Sequence, residues 1–331
     1  MGSSMQAVRR RRLFAGISLS AALVVGAVAC GGEGSEDGFD GTDDRVPVAT
    51  STNVWADVVE AVGGDHVEVS SIIEDSTDPH SYQAAAADAA TVNAARLLVY
   101  NGGGYDDFFV QLAESSDAPA VVAVDQADHG DHGDHGEHRD HGEHGEHSGE
   151  HGGDSHAHGN EHVWYDLRVM SAVADSVAAE LSDLLPERSD TFERNAADFA
   201  ERIDELGQGV ERIAQEHAGA AVVATEPIAH YLFVSAGLED ITPHEFTAAV
   251  ENETDVPATA QQRMLELVSD EADVVVRNVQ TATPATENVV GAAQKAGTPV
   301  VDVTETLPEG QSDYISWMGG QIDALAKALD K

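Results

Sequence analysis

The thirty residues from Arg188 to His217 read RSDTFERNAADFAERIDELGQGVERIAQEH and contain no proline. Phe192, Phe199, Ile203, Leu206, Val210 and Ile213 recur along them at spacings of three, four and seven. That pattern predicts one amphipathic helix of about 45 Å at 1.5 Å rise per residue, charged on its outer face. Gly207 and Gly209 each cost about 1 kcal/mol of helix propensity, too little to break so long a run. A coiled-coil dimer seam would need a longer repeat than these roughly three heptads. The segment therefore predicts a rigid spine within a monomer.

On both sides of this helix, short apolar strands alternate with helical segments. Before it, strands are predicted at Val46–Thr50, Val67–Ile73, Leu97–Tyr100 and Ala120–Val124. The helices among them fall at Val54–Val62, Gln83–Ala95, Tyr105–Glu114 and Val169–Leu185, the last stopped by Pro186. After it, strands are predicted at Ala220–Ala224, Asp273–Val276 and Pro299–Val303, with helices at Ala258–Ser269, Glu287–Ala296 and Gln321–Leu329. Such alternation implies parallel sheets covered on both faces. The predicted fold is α/β: two Rossmann-like parallel-sheet lobes, 45–187 and 218–331, joined by the long rigid helix 188–217.

A different kind of sequence interrupts the first lobe between 126 and 160. It carries His129, His132, His135, His138, His141, His144, His147, His151, His156 and His158, ten of the sixteen histidines, among glycines and acids. The stretch contains no large apolar residue and cannot build a core, so it predicts a disordered loop. Neutral imidazole is the commonest ligand for zinc and its borderline neighbours, and the composition points to an auxiliary metal-binding loop. A purification tag would sit at a terminus and lack the interleaved acids.

The first thirty residues read as an export signal. Arg9 to Arg12 form a basic start, Leu13 to Ala29 an apolar stretch too short for a comfortable membrane span, and Cys30 follows Ala27-Val28-Ala29. Cys30 is the only cysteine, placed where a lipoprotein signal peptidase would make it the lipidated N-terminus. Lipoboxes usually carry leucine where this chain has Ala27, and Arg11-Arg12-Leu13-Phe14 resembles part of a twin-arginine signal, so the export route stays open. Residues 1–30 are the expected signal and 31–44 an acidic, glycine-rich tether to the outer face of the cytoplasmic membrane. A net charge of −43 excludes nucleic acid as a partner. A single cysteine excludes a disulfide framework.

Three short motifs carry candidate ligands. Asp78-Pro79-His80-Ser81-Tyr82 follows the second predicted strand, Glu161-His162-Val163-Trp164-Tyr165-Asp166 precedes a helix, and Glu226-Pro227 follows the strand ending near Thr225. Open α/β sheets place ligands at such strand ends. A lone loop histidine is more often a surface residue and a glutamate at a helix start more often a cap; the joint placement singles these out. His66, His217 and His244 lack that support and read as surface residues.

Together with the histidine-rich stretch and the long helix, these motifs resemble the zinc/manganese solute-binding proteins of ABC importers. The segments TEPIAHYLFVSAGL (225–238), NVQTATPATENV (278–289) and VTETLP (303–308) extend the resemblance over essentially the whole mature chain. It implies metal ligation by His80 and His162 from the first lobe and by Glu226 from the second. It also implies a permease and an ATPase as partners and no enzymatic activity. Family members commonly add an aspartate, expected here in the loop after the penultimate strand, but residues 277–283 contain no acid. Gln280 or Asn278 through their oxygens, a water, or His230 are the substitutes the sequence offers.

Two imidazoles and a carboxylate suit Zn(II) at about 2.0–2.2 Å. Manganese prefers more oxygen donors and is the weakest binder among the divalent first-row metals. Glu226 pulls toward Mn(II) and the imidazole-rich stretch toward Zn(II); zinc is the expected cargo, manganese the alternative. An exported zinc metallohydrolase would use a similar donor set with an open position, but the chain has no HExxH and no evident second acid as general base. A metal buffer or adhesin without a transporter is the remaining reading.

Overall fold

The computed structural model describes residues 45–74, 77–127, 160–311 and 313–331. The export signal, Cys30, the acidic tether and the histidines between 129 and 158 lie outside the described residues.

The first lobe runs β1 (Val46–Thr52), α1 (Asn53–Gly63), β2 (Val67–Ile73), α2 (Ala86–Ala94), β3 (Leu97–Tyr100), α3 (Asp107–Ala113), β4 (Ala120–Val122), α4 (Ala123–Ala127) and α5 (Leu167–Leu184). The spine is α6, Ser189–His217, a single helix of 29 residues. The second lobe follows as β5 (Ala221–Ala224), α7 (His230–Ser235), β6 (Glu239–Asp240), α8 (His244–Glu251), α9 (Ala258–Asp270), β7 (Val274–Asn278), α10 (Pro284–Ala296), β8 (Val300–Val303) and α11 (Tyr314–Leu329). Both sheets are parallel and four-stranded, in the orders β2-β1-β3-β4 and β6-β5-β7-β8. The expected two-lobed α/β architecture is the one observed.

Several boundaries differ for local reasons. The strand expected to Val124 ends at Val122, because Ala123–Ala127 turns into a short helix that also takes up Gln126 and Ala127 from the expected loop. Helix α2 starts at Ala86, its Asp88 carboxylate accepting from the Ala85 N–H at 2.7 Å. Helix α11 begins at Tyr314, well before the expected Gln321, capped by Asp313, which accepts from Ser316 N at 2.8 Å. Gly319 and Gly320 hide this helix from propensity, and Gly319 lies close to the spine: a Cβ there would stand 3.2 Å from Leu206. Gly209 of the spine meets α11 in the same way, 3.1 Å from Ile322. Both glycines sit where the two helices approach closely.

One hydrophobic cluster runs through both lobes. It includes Val48, Trp55 and Val99 of the first lobe, Phe192, Phe199, Ile203, Val210 and Ile213 of the spine, Val222 and Val276 of the second lobe, and Trp317, Met318 and Ile322 of α11. Each such buried side chain contributes about 1.5–3 kcal/mol, so the spine is welded to both sheets. Polar ties add to it. Asn53 donates to the Leu307 carbonyl at 2.9 Å and accepts from Leu307 N at 3.0 Å. The Tyr165 hydroxyl donates to the Thr304 carbonyl at 2.8 Å, and Tyr314 donates to the Trp164 carbonyl at 2.6 Å. The segment 304–307 of the second lobe is thus fastened to the first, which fixes the cleft between the sheets' C-terminal ends.

Candidate metal centre

The cleft is a cavity of about 790 Å³ lined by Asp78, His80, His162, Glu226, Gln280 and Glu305, among others. Every one of these residues lies just beyond a strand or at the start of a turn.

His80 is exposed, on a single 3-10 turn (Pro79–Ser81) capped by Asp78, whose Oδ1 accepts from His80 N at 2.9 Å. His162 is the buried counterpart, at 2% exposure. Their ring centroids are 6.2 Å apart. Tyr105 and Trp164 pack edgewise on His162, with centroids at 5.9 and 5.2 Å. Burial, and then the proximity of His80 and His230, holds the His162 pKa well below the usual imidazole value. A neutral ring is the form that ligates metal.

Asn160 sets which nitrogen of His162 is free. Its Oδ1 accepts from the His162 backbone N–H at 2.9 Å, and its Nδ2 donates to the Pro227 carbonyl at 2.8 Å, so the amide orientation is fixed. His162 Nδ1 lies 3.0 Å from the same Oδ1 and must donate to it. Nε2 is left as the ligand atom, backed by a hydrogen bond of the kind that raises ligand basicity. The Tyr231 hydroxyl donates to the Asn160 carbonyl at 2.6 Å and completes a clamp from the second lobe.

Glu226 follows β5 and is buried, at 6% exposure. Thr281 Oγ1 and Asn278 Nδ2 donate to its two carboxylate oxygens. Burial raises its pKa, while these two hydrogen bonds oppose the rise.

A second carboxylate stands opposite, one that the sequence reading did not place. Glu305, after the last strand β8, is 5% exposed and accepts from the same Asn278 Nδ2 at 2.7 Å. Its other oxygen, Oε2, is buried without a hydrogen bond among the described residues. Burial, then the charges of Glu226 and Asp78, push its pKa up to about 8. Asp78, His80 and Glu305 offer ligand atoms all within 4.8 Å of one another.

The loop after the penultimate strand has no acid at the cavity, whereas the loop after the last strand brings Glu305 to it. Gln280 lines the cavity, but its amide is spent on shaping this loop: Oε1 accepts from Glu305 N at 2.5 Å and Thr306 N at 3.2 Å, and Nε2 donates to Thr306 Oγ1 at 2.8 Å. Asn278 turns its NH2 group, not its oxygen, toward the carboxylates. His230 stacks edgewise on Tyr231, with centroids at 5.6 Å; like Glu226, it belongs to no three-donor group among the described residues. The signal for Glu305 lay in VTETLP, where the acid two residues past an apolar strand has the same placement as Glu226.

At the cleft's outer lip Glu251 carries a buried Oε1 without a hydrogen bond. Burial, and then the charges of Glu161 and Glu226, push its pKa up to about 7. The centre gathers carboxyls whose charge is costly to hold unpaired and sets them facing two imidazoles, an environment that favours a divalent cation.

The model of the family described as "Zinc-uptake complex component A periplasmic" (ZnuA) matches residues 48–328. The chain belongs to this family. Among its relatives, a manganese-binding lipoprotein, MntA of Bacillus subtilis, is 25% identical over 192 residues, covering 57% of this chain and 56% of that one. A zinc-binding lipoprotein, AdcA of Streptococcus pneumoniae, is 22% identical over 313 residues, 92% of this chain and 58% of that one. The chain therefore spans little more than half the length of these relatives. Among solved structures, the periplasmic zinc-binding protein TroA from Treponema pallidum superposes with a TM-score of 0.67 at 18% identity, covering 86% of this chain and 99% of that one. That likeness establishes the fold.

Proposed function

We propose that this chain is the extracytoplasmic solute-binding component of an ABC importer, capturing Zn(II) between its lobes and delivering it to a membrane permease driven by an ATPase. The observation that carries the reading is the pair Glu226 and Glu305, both buried and both hydrogen-bonded to the one amide of Asn278, across the cleft from His80 and His162. Two adjacent buried acids with no cationic side chain in the cavity lining are costly unless protonated or neutralised by a bound ion. With His80 and His162 they would supply two nitrogens and two carboxylates, a donor set suited to tetrahedral zinc.

Zinc outranks manganese on the same donors. A second reading, manganese as cargo, is favoured by Glu305, since two carboxylates can supply up to four oxygens to a larger coordination shell. Equilibrating the protein with equimolar Zn(II) and Mn(II) and measuring the bound metal by mass spectrometry decides between them. Zinc retained at one tightly held ion per chain supports the first reading, and manganese retention overturns it.

The welded spine and cross-lobe hydrogen bonds suit a carrier whose lobes stay together, with exchange at exposed His80. In this account Cys30 carries the lipid that tethers the exported monomer, and the histidine-rich stretch collects ions nearby. A metallohydrolase is less well supported, because the chain has no HExxH and both buried acids accept from Asn278. Among the described residues no helix is long and apolar enough to cross a membrane.

A further inference from the structure

A second donor set shares the histidines of the centre. The Glu161 carboxylate and one ring nitrogen from each of His80 and His162 lie within 4.8 Å of one another. The other such group at the cleft is Asp78, His80 and Glu305, so His80 belongs to both. The two sets differ in depth: Glu305 is buried and Glu161 half-buried.

Glu161 is held at its backbone and free at its head. Its carbonyl accepts from Asn101 Nδ2 at 2.8 Å, and Asn101 is itself fully buried. Its Cβ lies against Gly103, 3.5 Å from where a Cβ there would stand. No hydrogen bond or ion pair engages its carboxylate among the described residues, whereas Glu226 is fastened by Thr281 and Asn278. A carboxylate on a fixed backbone with an uncommitted head is suited to taking and releasing an ion quickly. One held at both oxygens is suited to keeping it.

We infer that Glu161 is a loading ligand: an incoming divalent cation is first held by Glu161, His80 and His162, and then exchanges Glu161 for Glu305 and Glu226 while keeping both imidazoles. The inference rests on the reading of the centre as a cation receptor. Stepwise exchange spares the ion from passing the lip without protein donors, which is the costly part of dehydrating it. Because Glu161 is outside the final set, it lowers the barrier equally for entry and exit. Rates should depend on it and the equilibrium should not.

The test uses the full chain and its isosteric Glu161→Gln variant. Zinc is supplied from a chelate buffer in stopped flow and withdrawn by excess chelator. Emission of Trp164, whose ring lies 5.2 Å from His162, is the occupancy signal. The histidine-rich stretch is common to both proteins and cancels in the comparison. The expected result is that entry and exit rate constants both fall at least fivefold in Glu161→Gln, with Kd changed less than threefold. Unchanged rates overturn the inference, as does a tenfold weaker Kd, which would make Glu161 a resident ligand. If wild type shows no tight zinc site, the receptor reading itself fails, an outcome distinct from either of these.

Discussion

The Asn160 side-chain oxygen sits between two nitrogens of His162, 2.9 Å from the backbone N and 3.0 Å from ring Nδ1. The same side chain reaches the carbonyl of Pro227, next to Glu226 on the opposite lobe. One amide therefore orients an imidazole of the first lobe against the ligand-bearing turn of the second. Asn160→Ala should weaken tight zinc binding about 10–100-fold, the usual cost of losing a partner behind a metal-bound histidine. Competition with a chromophoric chelator measures it; affinity within threefold of wild type would show that burial alone orients the ring.

His80→Ala and His162→Ala should each weaken one tight zinc per chain more than tenfold, about 1.4 kcal/mol or more. Calorimetry is the check. The two should differ in stability: exposed His80 leaves little behind, whereas removing buried His162 opens a void against Tyr105 and Trp164. Thermal unfolding of the metal-free variants should therefore show the larger loss for His162→Ala.

Deleting Asp128 to Gly159 should remove several weak zinc sites and leave the tight one. A glycine-rich stretch without a core of its own loses conformational entropy for each ion it wraps, while strand-end ligands are already placed. Titrations of both forms count the sites. Loss of the tight site on deletion would make the histidine-rich stretch the receptor.

Asp57 gives a pH signature remote from the metal. Its Oδ2 accepts from Tyr314 N at 2.8 Å, fastening the start of α11 to α1, yet burial, with help from Asp313 and Glu60, raises its pKa from 3.8 to about 6. The folded state binds this proton more tightly than the unfolded chain. Its contribution is therefore fully present below about pH 4 and is lost as pH rises through about 6. Asp57→Asn keeps an acceptor for Tyr314 N and should stabilise the metal-free protein near pH 7 by about 1–3 kcal/mol. Denaturant unfolding from pH 4 to 7 tests the sign; a destabilised variant at pH 7 would reverse it.

The spine was readable because its apolar spacing persists over six turning points from Phe192 to Ile213, and all but Leu206 of these are fully buried in the shared core. His80, His162 and Glu226 were readable as candidates because each sits in a short motif next to a recognisable strand or helix. Glu305 has the same placement past β8, but the burial that distinguishes it is created by distant residues. Asn278 and Gln280 from the end of β7, and Asn53 from the start of α1, converge on its loop, and none of those contacts leaves a local pattern. Asn160 was hidden for another reason: it follows directly on the histidine-rich stretch and resembles the end of that run. The start of α11 was masked by Gly319 and Gly320, and of the two only Gly319 meets the spine, at Leu206.

The central claim is that one ion is held jointly by His80, His162, Glu226 and Glu305. The most direct measurement is anomalous diffraction at the zinc edge from crystals of protein loaded with one equivalent of zinc. The account predicts a single strong peak in the cleft, bonded to a nitrogen of each histidine and to both carboxylates at about 2.0–2.2 Å. A peak placed elsewhere, on the histidine-rich stretch or at Glu216, His217 and Asp330, whose ligand atoms also lie within 4.8 Å of one another, with the cleft unbound, would contradict it.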